Sequence, residues 1–114
     1  MTDFSTQRTL LGEGVGLVEL SGEVDLYTAP RFKDDLVGII NEGARNVIVD
    51  LAKVSFIDST ALGVIISGVK RLHEVDGRLF IVAATRPVAK ILAITGLDKV
   101  LSIYPTRDDA LAAL

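Results

Sequence analysis

Asp58-Ser59-Thr60 sets a carboxylate and two hydroxyls in succession where an apolar stretch gives way to a helical one. A hydroxyl in the first turn of a helix sits beside unpaired backbone N–H groups and the positive end of the helix dipole. A phosphate there finds donors and does not melt the helix, while adding about −1.5 to −2 units of charge. The same residues can equally serve as an Asp58 or Ser59 N-cap and nothing more. From these side chains alone both readings stand.

Catalytic chemistry finds less support. With no cysteine, thiol catalysis, disulfides and zinc–thiolate sites are excluded. The single histidine, His73, falls late on a long helical pattern and reads as solvated or at the edge of the core. Asp50 and Glu74, the nearest sequence carboxylates to Asp58, belong to other contexts, so no paired acid and base is formed. Gly63 to Lys70 superficially has the shape of a phosphate loop, but its lysine is displaced and the stretch is helical. Close helix packing at Gly63, Ser67 and Gly68 is the plainer reading. Gly12, Gly14 and Gly16 precede a strand rather than follow one, as a turn entering that strand does. The expectation is a protein that is not an enzyme and holds no cofactor or metal of its own.

Apolar runs place strands at Thr9–Leu11, Val15–Leu20, Val47–Leu51, Leu79–Ala83 and Val100–Tyr104. The nearly unbroken runs Val47–Val49, Leu79–Ala83 and Leu101–Ile103 read as buried central strands. Between them, Thr28 and Pro30 open a helix that keeps its apolar spacing to Gly43. A second starts near Asp58 and Ser59 and carries the stripe Leu62, Ile65, Ile66, Val69, Leu72 towards Asp76-Gly77. Thr85 and Pro87 open a third, closed by Gly96, and Thr106 to Asp109 has the shape of a capping box before a fourth. The strand at Val47 is expected to end near Leu51, with Phe56-Ile57 anchoring the connection to the Ser59 helix. The order β-β-α-β-α-β-α-β-α requires crossover connections, and so a mixed, mostly parallel sheet of four to five strands with about four helices on it.

The 114 residues have room for one domain, expected over 1–114, with 49% hydrophobic side chains to fill its core. The longest uncharged run, Ser59 to Val69, is too short to span a bilayer, which takes about 20 residues. Met1 to Ser5 lacks the features of a secretory leader. A net charge of −3 argues against nucleic acid or an anionic membrane as the main partner. That charge is uneven: residues 1–58 hold ten acidic and five basic side chains, residues 59–114 five and seven. The acidic half is where a partner surface is expected.

The stretches Ser21 to Ala29 and Phe56 to Gly63 resemble the two signature segments of STAS domains, specifically those of bacterial anti-sigma factor antagonists. The likeness continues through Gly77–Val82, Pro87–Leu92 and Thr95–Leu97, from about Val15 to Tyr104. The resemblance implies a cytoplasmic partner-switching protein that regulates transcription, as in stress responses. Its unphosphorylated form would bind an anti-sigma factor that is also a serine kinase, freeing the sigma factor. That kinase would phosphorylate Ser59 and lose its grip, and a PP2C-type phosphatase would reverse the step.

By the same match Glu23, Asp25, Tyr27 and Thr28 lie on a loop beside Ser59 and, with Asp58, Thr60 and Ala61, form the partner surface. Thr60 is a secondary acceptor, and Asp58 is expected to cap the helix and position the Ser59 hydroxyl. Many relatives have a second Ser and then Gly where this chain has Thr60 and Ala61. The alternative is a STAS module that does not switch, acting as a scaffold in a stress-signalling or transport complex.

Overall fold

The computed structural model describes residues 3–114; of the Met1 to Ser5 stretch considered above, Met1 and Thr2 lie outside the described residues. β1 (Ser5–Gly12) turns through Gly12, Glu13 and Gly14, all at positive φ, into β2 (Val15–Val24). There follow α1 (Ala29–Asn41), β3 (Asn46–Ile57), α2 (Ser59–His73), β4 (Arg78–Val82) and α3 (Arg86–Ile94). A 3-10 turn at Leu97–Lys99, β5 (Ser102–Tyr104) and α4 (Arg107–Ala112) complete the chain. The sheet order is β1-β2-β3-β4-β5, antiparallel between β1 and β2 and parallel across the rest. The α/β class and the mixed, mostly parallel sheet are as expected, with five strands where four to five were expected and four helices packed on them.

Alternation along the strands divides the sheet into two faces. Val18, Leu20, Val47, Val49, Leu79 and Ile81 point towards α1, α2 and α3 and join Phe32, Leu36, Ile39, Ile65, Leu72, Val88 and Leu92 in the main core. Leu17, Ile48, Phe80 and Val82 point the other way, where Ala110 of α4 covers them. Two buried faces explain the unbroken apolar runs of β3 and β4. Leu101–Ile103 does not belong with them. β5 is the edge strand, half-buried, and Leu101 and Ile103 are apolar because they rest against the main core from its rim.

β3 outruns its expected end. It pairs with β4 only as far as Asp50 with Val82, then continues to Ile57 against β2 alone. Register shifts between Glu19 and Ser21 and between Gly22 and Glu23 let β2 follow it. Gly22 makes the second possible: its φ is 87°, and a Cβ there would stand 2.2 Å from the carbonyl oxygen of Asp3. Beyond β4, Val54 and Ile57 remain buried while Lys53, Ser55 and Phe56 are exposed. Ile57 therefore anchors the connection to α2, and Phe56 does not.

Packing also sorts the small residues of α2. A Cβ on Gly68 would fall 2.6 Å from Leu36 Cδ2, so Gly68 is where α2 meets α1 closely. Gly63 has nothing within 4 Å of that position and lies open, contrary to the packing role expected of it. Ile66, placed on the apolar stripe, is exposed, as is His73.

Candidate functional site

The paired ends of β2 and β3 carry the segments that hold the candidate residues. The Asp58 N–H donates to the Val24 carbonyl at 3.2 Å, continuing the sheet pairing one residue beyond Ile57. Asp58 is then the N-cap of α2, in extended backbone, with Oδ1 accepting from Ala61 N–H at 3.1 Å. Its Oδ2 accepts from Leu26 N–H at 3.1 Å. One carboxylate thus joins the start of α2 to the connection between β2 and α1. Among the described residues no hydrogen bond links it to the Ser59 hydroxyl, so capping is present and the expected positioning of that hydroxyl is not.

Ser59 is the first residue of α2 and is exposed. The first turn of α2 itself contains no acidic residue, and of its N–H groups the one on Ala61 is taken by the Asp58 cap. Lys70, Arg71 and His73 in the last turn complement the other end of the dipole. Thr60 is half-buried and faces an open groove of about 390 Å³ between α1 and α2, shared with Ala29, Pro30, Lys33, Gly63, Val64 and Ser67. Ala61 is fully buried, so its side chain offers a partner nothing; its part in the site is the N–H given to Asp58. The residue expected on the partner surface is a spacer beneath it.

The β2–α1 connection is held mainly by its own side chains. Asp25 Oδ1 accepts from Tyr27 N–H at 2.9 Å and Thr28 N–H at 3.1 Å, an Asx arrangement that closes the turn. Thr28 Oγ1 accepts from Asp25 N–H at 2.9 Å and donates to the Glu23 carbonyl at 3.0 Å. Thr28 is the N-cap of α1 by position, but its side chain points back into the turn and caps nothing. Glu23 is exposed on the last residues of β2 rather than on the loop, because the bulge carries that strand to Val24. The turn leaves Leu26 62% and Tyr27 85% exposed. Leu26 was not singled out by the sequence reading. Its signal was an apolar pair, Leu26-Tyr27, set between the turn formers Asp25 and Thr28 with no regular element to bury it.

Ser59 and Leu26–Tyr27 thus flank the Asp58 carboxylate, with Glu23 and Asp25 adding negative charge nearby. Exposed apolar side chains ringed by polar ones are the ordinary makings of a protein contact. Among the described residues no three His, Cys, Asp or Glu side chains gather closely enough to hold a metal ion.

A separate polar cluster lies on the α4 face. Arg107 Nε donates to Asp50 Oδ2 at 2.9 Å, and its Nη2 donates to Glu19. Asp50 is the buried charged residue of the chain's described part, 6% exposed, and its Oδ1 accepts from Ala52 N–H. Burial works to lower the Arg107 pKa, but hydrogen bonds to Asp50 and Glu19 outweigh it and hold the guanidinium above its ordinary value.

Comparison with known proteins places this arrangement among relatives. The family model described as STAS domain matches residues 10–110. The anti-sigma-B factor antagonist of Staphylococcus epidermidis is 36% identical over 86 residues, which are 75% of this chain and 80% of the relative. The crystal structure of an anti-sigma factor antagonist from Mycobacterium paratuberculosis superposes with a TM-score of 0.88 at 31% identity, covering 97% of this chain and 93% of that one. An anti-sigma-factor antagonist (STAS) domain protein from Planctomyces limnophilus gives 0.83 at 20% identity over 95% and 96% of the two chains, a likeness of fold alone.

Proposed function

The chain belongs to the STAS domain family, and we propose that it acts as an anti-sigma factor antagonist whose binding is switched by phosphorylation of Ser59. The observation that carries this reading is the exposed Ser59 hydroxyl on the first turn of α2, beside Leu26 and Tyr27, which no part of the described fold covers. The names of the relatives in Staphylococcus epidermidis and Mycobacterium paratuberculosis support the choice of an anti-sigma factor as partner.

In this reading the chain works as a single module over residues 1–114, in the cytoplasm, and is substrate rather than enzyme. No helix among the described residues is long and apolar enough to cross a membrane. The partner is an anti-sigma factor that is a serine kinase and supplies the ATP. It binds over Ser59, Thr60, Asp58 and the Glu23–Thr28 segment, which frees its sigma factor. A PP2C-type phosphatase restores the hydroxyl. Thr60, half-buried against the α1–α2 groove, is the secondary acceptor.

Magnitudes favour a switch by charge. A phosphate adds about −1.5 to −2 units beside Asp58, Asp25 and Glu23. Like charges opposed across a fitted interface cost several kcal/mol, and about 4 kcal/mol weakens binding a thousandfold.

The test begins with a pull-down on the immobilised protein to recover the kinase. The chain is then incubated with labelled ATP alone and with that kinase, and the site is mapped by mass spectrometry. Label on Ser59 only when the kinase is present, loss of label in Ser59→Ala with retained binding, and poor binding of Ser59→Glu are expected. Phosphate turnover without the kinase, or undiminished label in Ser59→Ala, overturns the assignment.

A further inference from the structure

Resting on that reading, we propose that Asp58 is a positioning residue that couples the phosphorylation state of Ser59 to the Leu26–Tyr27 turn. The two oxygens of its carboxylate have separate duties: Oδ1 holds Ala61 N–H inside α2, and Oδ2 holds Leu26 N–H in a different segment 32 residues earlier.

Every other side-chain hydrogen bond of the turn is internal to residues 23–28. Asp25 and Thr28 therefore shape the turn, but they do not fix where it stands relative to Ser59. Buried Val24 and Ala29 fix the two ends of the turn, but Leu26 and Tyr27 are both exposed, so apolar packing does not hold its tip. The Asp58–Leu26 bond is the side-chain link that ties this tip to α2, beyond the β2–β3 pairing and the backbone bond from Asp58 N–H to Val24 that hold the base of the turn.

A phosphate on Ser59 acts on this link in two ways. It adds a dianion to the residue next to the carboxylate, and it competes for the N–H groups of the first turn, which include Ala61 N–H. Both effects drive the Asp58 side chain from its present place, and Leu26 N–H then loses its acceptor to solvent. Phosphorylation consequently does more than add repulsive charge: it releases the apolar pair that the unmodified protein holds ready.

The experiment compares amide hydrogen exchange by NMR in three proteins: wild type, Asp58→Ser, and the chain carrying phosphoserine at position 59 installed during translation. Serine is a good N-cap with a single short-reaching oxygen, so Asp58→Ser keeps α2 capped and removes the acceptor for Leu26. Leu26 amide exchange is expected to rise about tenfold or more in both altered proteins. The amides of Val49 and Ile81 in the central strands are expected to stay protected and report an intact fold. Leu26 exchange that matches wild type in either protein overturns the coupling. If Asp58→Ser loses protection at Val49 and Ile81, the phosphoserine protein alone decides. No partner is present in this measurement, so a silent Leu26 amide and a failure to bind an anti-sigma factor are separate results.

Discussion

Truncating Arg107 tests how α4 is fastened to the sheet, and its cost follows from the exposure of the groups concerned. Arg107→Ala removes the bond from Nε to Asp50 and leaves that carboxylate, 6% exposed, with Ala52 N–H as its remaining partner. Breaking a fully buried ion pair costs about 3–5 kcal/mol, and a hydrogen bond to a charged group about 1.5–3 kcal/mol. The Arg107 side chain is 40% exposed, so water enters the space it vacates and the loss falls near the lower figure, about 2 kcal/mol. The Glu19 pair, exposed on both sides, adds no more than a few tenths. In urea, with a slope of about 1–3 kcal/mol/M for a small domain, the midpoint should fall by about 1 M. Asp50→Asn supplies the decisive arm. It removes the stranded charge while an oxygen still faces Ala52 N–H, so the double variant should be more stable than Arg107→Ala by about 1 kcal/mol. Simple addition of the two losses, or a loss below about 0.5 kcal/mol for Arg107→Ala, refutes the account. The pH dependence is likewise defined. A pKa raised on folding gives stability that is complete below the unfolded value and lost only as pH rises through the folded one. Arg107 titrates far above neutrality, so this contribution should be flat across the neutral range.

Two glycines on one helix should respond in opposite directions. Gly63→Ala meets nothing within 4 Å and gains helix propensity, raising stability by about 0.5–1 kcal/mol in thermal melts, whereas Gly68→Ala is pressed against buried Leu36 and should lose about 1 kcal/mol net. Thr28→Val keeps the shape of the side chain but strips Asp25 N–H and the Glu23 carbonyl of their partner, so it should cost about 1–2 kcal/mol and lower the melting temperature by several degrees. Thr106→Ala removes the oxygen that accepts from Asp109 N–H at the start of α4, for about 1 kcal/mol and selective loss of amide protection in that helix.

The order of elements was legible because each carries its own pattern: apolar runs for β2, β3 and β4, a 3.6-residue stripe for α1 and α2, and caps at their ends. The place of Ser59 at a helix start was legible for the same local reason, since Asp58 announces that start. What escaped was whatever depends on the distance between strands. Lys53 and Ser55 interrupt the apolar run of β3, so it reads as finished at Leu51; it continues because β2 bulges to stay paired with it. Glu23 is expected on the loop with Asp25, Tyr27 and Thr28, and the bulge at Gly22 instead keeps it within a strand. The resemblance puts Ala61 on the partner surface, yet the helical rotation of about 100° per residue turns it into the core. The capping box of α4 is half formed: Thr106 accepts from Asp109 N–H, and the reciprocal bond is absent among the described residues.

The overrun of β2 and β3 past β4 gives the cap of α2 the neighbouring turn that the proposed switch requires. Had β3 stopped at Leu51, α2 would start level with the end of β4, and the β2–α1 turn would have no extended neighbour to meet. The six further residues of β3 bring Asp58 beside Val24 and Leu26. The ground beneath is firm: Val24, Ile57 and Ala61 are each at most 1% exposed. Burial at that level resists rearrangement, since a packed core does not deform gradually. In the proposed switch, charge added at Ser59 acts on the hydrogen-bonded carboxylate of Asp58 and the turn it holds. The proposed switch needs no change of fold, because the rigid and the adjustable parts of the site are divided at a single residue.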